Sequence, residues 1–249
     1  MIASLPMYDR PETAAANDRF WEAIRDHLGH GPARLTRDGD PWDHWQNPDL
    51  LLSQTCGSPY RNRLHGRVTL VATPDVDLPE CPTGHYCSVL IARLDDSRAT
   101  PHDFATARFA YNDPLSQSGW AAPQTYAAGL GFTFSHPQPT GAHRASAQAV
   151  ADGRADIAAI DALTWALIQR HDEFAARLRV IARTPPTPAL PYITAQGRDA
   201  DALRVALTRA LDALGSADRH TLGLRGITSI SAMDYLAVPN PAPPPPETA

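Results

Sequence analysis

The segment 112-NDPLSQSGW-120 places two serines and a glycine where a predicted strand passes into a predicted helix. The first turn of a helix carries unpaired backbone N–H groups and a partial positive charge, so it attracts oxyanions. Ser116 and Ser118 add hydroxyl donors, Gln117 lies between them, and Gly119 lets a ligand approach the backbone. This corner predicts a neutral cradle for a phosphate, phosphonate, sulfonate or carboxylate. The alternative is plain N-capping, which serine, aspartate and asparagine all perform well.

Two more polar residues stand at similar corners of the following stretch. His143 opens a predicted helix, and Asp161 comes directly after the apolar run 155-ADIAAI-160. An aspartate at the carboxyl end of a buried strand either accepts hydrogen bonds from a ligand amine or hydroxyl, or caps the next helix. His143 is likewise interpreted either as a ligand contact or as a surface or capping histidine.

Alternating β and helical patterns place these corners in an α/β fold with helices covering the sheets. The predicted strands are residues 1–8, 32–38, 49–54, 67–74, 86–94, 107–112, 131–136, 155–160, 179–183 and 192–195. The predicted helices are one from Pro11 to Gly29, residues 118–128, 142–153 and 162–178, and one carrying Leu203, Leu207, Leu211 and Leu214. Ligands of open α/β sheets collect at the carboxyl ends of the strands. By that rule Tyr8, and Thr55 with Tyr60, form further candidate corners.

Two lobes are expected from the composition of the connections. A polar segment at 95–105 and the proline-rich block 184-TPPTPALP-191 frame a central part of the chain. The first lobe would hold residues 1–90 plus 191–238, and the second, inserted lobe would hold 91–190. Residues 239–249 have too many prolines and too few large apolar groups to pack, so they are expected to be disordered.

The serine corner and the later stretch G-x-H-x-(A/S)-x-x-x-x-V-x-x-G-x-x-D-x-A-x-x-D together resemble the phosphonate-binding subunits of ABC importers. This PhnD-like group has the type 2 periplasmic-binding-protein fold, with two lobes joined by a two-crossing hinge. The resemblance covers roughly residues 107–195. Its matching residues are Ser116, Ser118, Gly119, His143, Val150, Gly153, Asp156, Ala158 and Asp161.

The resemblance implies that the lobes close on a ligand whose oxygens are held by Ser116, Ser118 and His143. Asp161 would meet an amine at the other end of the ligand. Tyr8, Tyr60 and Thr55 are expected to contact the ligand from the first lobe because of their corner positions, and no motif supports them.

The predicted function is therefore that of a solute-binding protein that clamps phosphate, phosphite or phosphonate between two lobes for ABC-type uptake. It would act as a monomer with an ABC permease as partner. The alternative is a cytoplasmic sensor or scavenger of the same fold that binds a sulfonate or a pyrimidine. An enzyme is not expected, because the serine corner lacks the leading glycine of a G-x-S-x-G elbow and no phosphate-binding or dinucleotide-binding glycine motif occurs.

Composition excludes several other classes. The net charge of -5 and the pI near 6.0 do not suit a nucleic-acid partner. The apolar runs fall short of the roughly 20 residues that cross a bilayer, so no membrane insertion is expected. The N-terminus lacks the features of an export signal, which predicts a cytoplasmic protein as written and a periplasmic one if a signal has been omitted.

Neither a cofactor nor a metal is predicted. The spacing of Cys56, Cys81 and Cys87 is not that of a zinc site. Thiols in a reducing compartment are the favoured interpretation, with a single Cys81–Cys87 bridge as the alternative.

Overall fold

The computed structural model describes residues 1–246, which form two compact units. Unit 1 contains Met1–His85 and Pro188–Ala237, and unit 2 contains Tyr86–Thr187 and the segment from Val238 onward. These limits lie near the lobe boundaries of 90 and 191 that the sequence suggested. The chain also passes between units a third time, after Ala237, because its C-terminal segment groups with unit 2.

Short strands and helices alternate along the described residues. The strands are β1 (Ile2–Ser4), β2 (Leu50–Gln54), β3 (Val68–Val76), β4 (His85–Tyr86), β5 (Ser88–Arg93), β6 (Arg108–Tyr111), β7 (His136–Pro139), β8 (Ile157–Asp161), β9 (Leu178–Arg183), β10 (Thr187–Pro188), β11 (Tyr192–Ala195) and β12 (Leu224–Thr228). The α-helices are α1 (Ala14–Leu28), α2 (Pro41–Trp45), α3 (Gly57–Pro59), α4 (Ala122–Gly129), α5 (His143–Ala151), α6 (Ala162–His171), α7 (Ala200–Ala213), α8 (Ser216–Leu222) and α9 (Ala232–Leu236). The π-helical turns are Tyr60–Leu64 and Gln117–Ala121, and the 3-10 helices are Pro101–Phe104 and Glu173–Arg177.

Unit 1 is built on a mixed sheet with the strand order β1-β2-β11-β3-β12. β1 runs parallel to β2, whereas β11 and β12 pair antiparallel with their neighbours. Helix α1 buries Phe20 and Ile24, and α7 buries the leucines at 203, 207 and 211. Spacing of four residues puts each set on one helix face. The predicted leucine face of α7 is thus confirmed for these three leucines, whereas Leu214 lies just after the helix in extended backbone.

Unit 2 is built on a second sheet with the order β7-β6-β8-β5-β9. β6 pairs in parallel with both β7 and β8, and β5 pairs antiparallel with β8 and β9. Its core is aromatic, and Phe109 stacks on Phe134 with ring centroids 4.5 Å apart. Because three parallel strands lie side by side, the loops that follow β7, β6 and β8 leave the sheet at one edge.

Two predicted strands are wrong. Residues 32–38 form no strand, and the segment touches the sheet through a hydrogen bond from Thr36 N–H to the Ala3 carbonyl. Most of 131–136 is irregular, and β7 begins only at His136. Phe132 and Phe134 pack edge-on against each other there, and the Phe134 N–H donates to the Gln124 side chain at 3.4 Å instead of to a β ladder. Aromatic packing therefore replaces strand pairing in this segment.

The C-terminal segment makes a defined contact although residues 239–246 form neither helix nor strand. The indole Nε1 of Trp120 donates to the carbonyl of Ala242 at 2.9 Å. The disorder predicted for residues 239–249 stays a prediction, and residues 247–249 lie outside the described residues.

Other sequence expectations concern cysteines, metals and membranes. In the described part of the chain, Cys56, Cys81 and Cys87 form no disulfide. Within residues 1–246 no three acidic, histidine or cysteine side chains are grouped so that they could hold a metal ion. Over the same residues, each helix is too short or too polar to span a membrane.

Candidate functional site

The parallel strands of unit 2 bring the sequence-predicted corners to one edge of their sheet. Tyr111 of β6 is in register with Pro139 of β7, and Ala110 of β6 is in register with Ala158 of β8. The serine corner follows β6, His143 follows β7 by four residues, and Asp161 ends β8. This is the edge at which open α/β sheets bind their ligands.

The serine corner begins with a capped helix. Ser116 has an extended backbone and its Oγ accepts a hydrogen bond from the Gly119 N–H at 2.9 Å. The chain then continues through the π-helical turn into α4, and Gln117 and Ser118 are both buried within that turn. The capping alternative is therefore correct for Ser116, while the first-turn position of Gln117 and Ser118 suits them to face an anion.

Residue 119 has to be a glycine because the side chain of Asn112 leaves no room for a Cβ atom. A Cβ added at this residue would overlap Oδ1 of Asn112 and would lie 3.0 Å from its Cγ. The Asn112 oxygen is buried and has no hydrogen-bond partner among the described residues. A buried polar atom without a partner is costly, so Asn112 is a residue of this corner with unused hydrogen-bonding capacity. Asn112 was not singled out from the sequence as a site residue, although it belongs to the corner sequence 112–120.

Ser118 and His143 are in direct contact. Ser118 Oγ and His143 Nε2 lie 2.9 Å apart, and Ser118 is only 2% exposed. In the tautomer with the proton on Nε2, the imidazole donates to the serine oxygen, and the serine proton is then available to donate to a ligand oxygen. Two residues 25 positions apart in the chain are thus joined at the predicted corner.

His143 is neutral at ordinary pH. Burial lowers the pKa of its imidazole from 6.5 to about 4, and the backbone carbonyl of Ala159 offsets this only partly. The residue as a whole keeps some exposure, but its Nδ1 is buried and has no well-aligned hydrogen-bond partner among the described residues. The Ser118–His143 pair therefore offers hydrogen bonds without a formal charge.

The loop before His143 is fixed by Thr140, a residue that sequence reasoning missed. Its N–H donates to the Tyr111 carbonyl at 2.9 Å, and its hydroxyl lies 2.6 Å from the hydroxyl of Ser146 on α5. These bonds tie the end of β7 to the end of β6 and to the helix that begins at His143. A threonine three residues before the histidine carried no distinct signal of this role in the sequence.

Asp161 is engaged as a helix cap. Its Oδ1 accepts from the N–H groups of Leu163 at 2.8 Å and Thr164 at 3.0 Å, and the residue is 2% exposed. Capping is one of the two interpretations left open by the sequence, and these bonds establish it. Contact with a ligand amine stays a prediction.

Three predicted contacts lie in unit 1. Thr55 follows β2 and is fully buried, and its hydroxyl has no hydrogen-bond partner among the described residues. Tyr60 packs in a hydrophobic cluster, edge-on to Tyr235 at 5.3 Å, and burial raises the pKa of its phenol. The backbone carbonyl of Tyr8 accepts from the Thr13 hydroxyl at 2.7 Å. Core packing accounts for the burial of Tyr60, and the ligand roles of all three remain predictions.

Trp120 turns away from the serine corner and into the core. Its ring lies 5.0 Å from that of Tyr111 and 6.3 Å from that of Phe109, and the residue is buried. The residue after Gly119 therefore fixes the turn to the aromatic core of unit 2.

One known protein family matches more than half of the chain. A family described as "ABC transporter, phosphonate, periplasmic substrate-binding protein" matches residues 55–235, well over half of the 249 residues. A search of curated proteins found no match.

Solved structures of similar fold cover nearly the whole chain. PhnD1 from Prochlorococcus marinus, in complex with methylphosphonate, is 13% identical with a TM-score of 0.74, covering 94% of each chain. A binding-protein component of an ABC phosphonate transporter from Pseudomonas aeruginosa is 17% identical with a TM-score of 0.73, covering 95% of this chain and 82% of that one. A histidine kinase sensor domain is 16% identical with a TM-score of 0.63, covering 91% and 97%. These likenesses confirm the predicted α/β fold of the type 2 periplasmic-binding-protein kind.

Proposed function

The chain belongs to the family of periplasmic substrate-binding proteins of ABC phosphonate transporters, and on that premise we propose that unit 2 binds a phosphate, phosphite or phosphonate group. Ser116, Gln117, Ser118 and Gly119 supply the corner, and His143 completes it. The observation that carries the proposal is the 2.9 Å contact between Ser118 Oγ and His143 Nε2 at the edge where three strands end. We further propose that the protein acts as a monomer and delivers its ligand to an ABC permease.

The cradle holds its ligand through hydrogen bonds more than through charge. First-turn N–H groups and the Ser118 hydroxyl donate, and a neutral His143 adds no formal charge. Hydrogen bonds to a charged acceptor contribute about 1.5–3 kcal/mol each, so a few of them suffice for tight binding. A neutral cradle favours tetrahedral oxyanions by shape and donor direction.

The same features support binding rather than catalysis by Ser118. A serine nucleophile needs an adjacent base that accepts its proton near neutral pH. With an imidazole pKa of about 4, His143 is a weak base for that step. We therefore assign Ser118 the role of a ligand donor, and His143 the role of orienting the Ser118 hydroxyl through the Nε2–Oγ hydrogen bond.

Ligand identity is tested by a thermal-shift panel. It includes methylphosphonate, the ligand in the PhnD1 complex, with phosphate, phosphite and aminoalkyl phosphonates. A ligand at a hundred times its dissociation constant stabilises the fold by about 2.7 kcal/mol, or about 5 to 10 °C in melting temperature at this size. We expect a shift of this order with at least one phosphorus oxyanion.

Sulfonates and pyrimidines in the same panel test the sensor or scavenger alternative. A shift with those compounds and none with phosphorus oxyanions would favour that alternative. No shift with any member of the panel would contradict oxyanion binding itself.

A further inference from the structure

Unit 1 contains a cavity of about 710 Å³ whose lining is polar and includes four basic residues. Its walls include Trp42 and Gln46, from α2 and the residue after it, and four basic residues that follow α3. These are Arg61, Arg63, His65 and Arg67, which alternate with other residues through the π-helical turn and the loop after it. Every residue of this lining belongs to unit 1, whereas the serine corner belongs to unit 2.

The basic residues fall into two groups by burial. Arg61 is 8% exposed and lies beside Gly57, so it forms the inner wall. Arg63, His65 and Arg67 are exposed at the rim. The asparagine between the first two arginines donates from its amide to the Ser58 carbonyl at 3.0 Å, which holds the turn in place.

Arg63 and Arg67 differ from most arginines of this chain in their partners. Within the described part of the chain, twelve other guanidinium groups are paired with carboxylates, as in the bond from Arg37 to Asp9 at 2.6 Å. Neither Arg63 nor Arg67 has a carboxylate within ion-pair distance among residues 1–246, and Arg63 lies over the ring of Trp42 at 5.2 Å. Two guanidinium groups are therefore held at one cavity without a negative partner, while Asp40 at its edge is engaged as the cap of α2.

We propose that this cavity, which we call the arginine groove, is a second anion site for a small, multiply charged phosphate chain of the pyrophosphate class. Guanidinium groups bind phosphate oxygens in a bidentate manner, and two of them suit two adjacent phosphoryl groups. The cavity is far larger than a single phosphate requires, and its three arginines exceed the single carboxylate of Asp40 in charge. The site is independent of the oxyanion site proposed for unit 2.

Isothermal titration with inorganic pyrophosphate, in EDTA and at low ionic strength, tests the groove. The test variant is Arg63→Ala with Arg67→Ala, and the matched control is Arg34→Ala with Arg209→Ala, which removes the same charge from two exposed arginines of unit 1. We expect the wild type and the control to bind alike, and the test variant to lose roughly ten-fold or more in affinity. All four positions are exposed, and a melting curve of each variant verifies that it folds.

Three results would overturn the arginine groove. They are no binding of pyrophosphate by the wild type, equal losses in the test and control variants, and loss of pyrophosphate binding on Ser118→Ala. The last would place the anion at the serine corner instead. Retention of pyrophosphate binding by Ser118→Ala, whatever that variant does to phosphonate binding, supports the groove and keeps the two sites distinguishable.

Discussion

Burial of the His143 ring nitrogen sets the charge of the serine corner and also part of the pH dependence of the fold. The imidazole pKa is about 4 in the folded chain, compared with 6.5 for an unperturbed histidine. As pH falls below 6.5, the unfolded chain takes up a proton that the folded chain refuses, so folding stability is lost. The loss is complete once pH falls below the folded pKa.

We predict that His143→Gln makes stability less sensitive to acid. Between neutral pH and about pH 5, the wild type should lose about 2 kcal/mol in free energy of unfolding through this residue, and the variant should not. Glutamine keeps a side-chain donor near Ser118. Urea unfolding of both proteins at the two pH values measures the difference, in which losses from other groups cancel. Equal pH dependence in both proteins would contradict a buried, neutral His143.

At the scale of single residues, the sequence predicted where a residue lies in a strand or helix better than it predicted which residue it contacts. Ser116, Ser118 and His143 could be assigned to corners because strand ends and helix starts are local patterns. The 2.9 Å contact between Ser118 and His143 depends on the register of β6 with β7, which no local pattern contains. Asn112 and Thr140 were missed as site residues because their roles arise only from close approach in three dimensions.

At the scale of elements, Asp161 caps helix α6. A substitution at this residue tests whether it also contacts the ligand. We predict that Asp161→Asn leaves the free energy of unfolding within about 1 kcal/mol, because asparagine caps helices as well as aspartate does. If the carboxylate also meets an amine, the variant should lose roughly ten-fold in affinity for an aminoalkyl phosphonate. Its affinity for methylphosphonate should be unchanged.

Titration calorimetry with the two ligands separates these roles. Methylphosphonate serves as the matched control because it lacks the amine. Equal losses for both ligands would refute the amine contact and leave Asp161 as a cap alone.

The C-terminal segment offers a second test at this scale. A chain that ends at Val238 lacks the Ala242 carbonyl that accepts from Trp120 Nε1. We predict that this truncation lowers the free energy of unfolding by about 1 kcal/mol, the net contribution of one hydrogen bond. In a Trp120→Phe background the same truncation should cost less, because phenylalanine has no donor to lose. Equal costs in the two backgrounds, measured by urea unfolding, would show that the bond contributes nothing.

The helices and strands were predicted correctly where the apolar residues of a segment followed one clear periodicity. The leucine face of α7 and the buried strand β8 were predicted because apolar spacing of four and an unbroken apolar run are unambiguous. Residues 131–136 alternate like a strand but form a loop, since Phe132 and Phe134 are held by ring packing. The π-helical turns at Tyr60–Leu64 and Gln117–Ala121 have no sequence signature, and such turns are frequent at functional sites.

For the whole molecule, the predicted family and fold class are confirmed by a match over residues 55–235 and by structures of similar fold. The prediction was possible because the corner S-x-S-G and the later His and Asp positions combine local patterns at fixed separations. The C-terminal segment from Val238 onward groups with unit 2, whereas residues 239–249 were assigned to neither lobe from the sequence. A proline-rich composition excludes a core of its own, but it does not exclude an extended segment that packs on another element.

The central claim is that Ser118 and His143 hold a phosphorus oxyanion, and titration calorimetry of the wild type and Ser118→Ala tests it most directly. The ligand is the compound with the largest thermal shift. We predict a loss of roughly ten-fold or more in affinity for the variant, with its unliganded free energy of unfolding within about 1 kcal/mol of the wild type. Unchanged affinity together with a large loss of stability would contradict the claim and make Ser118 a structural residue.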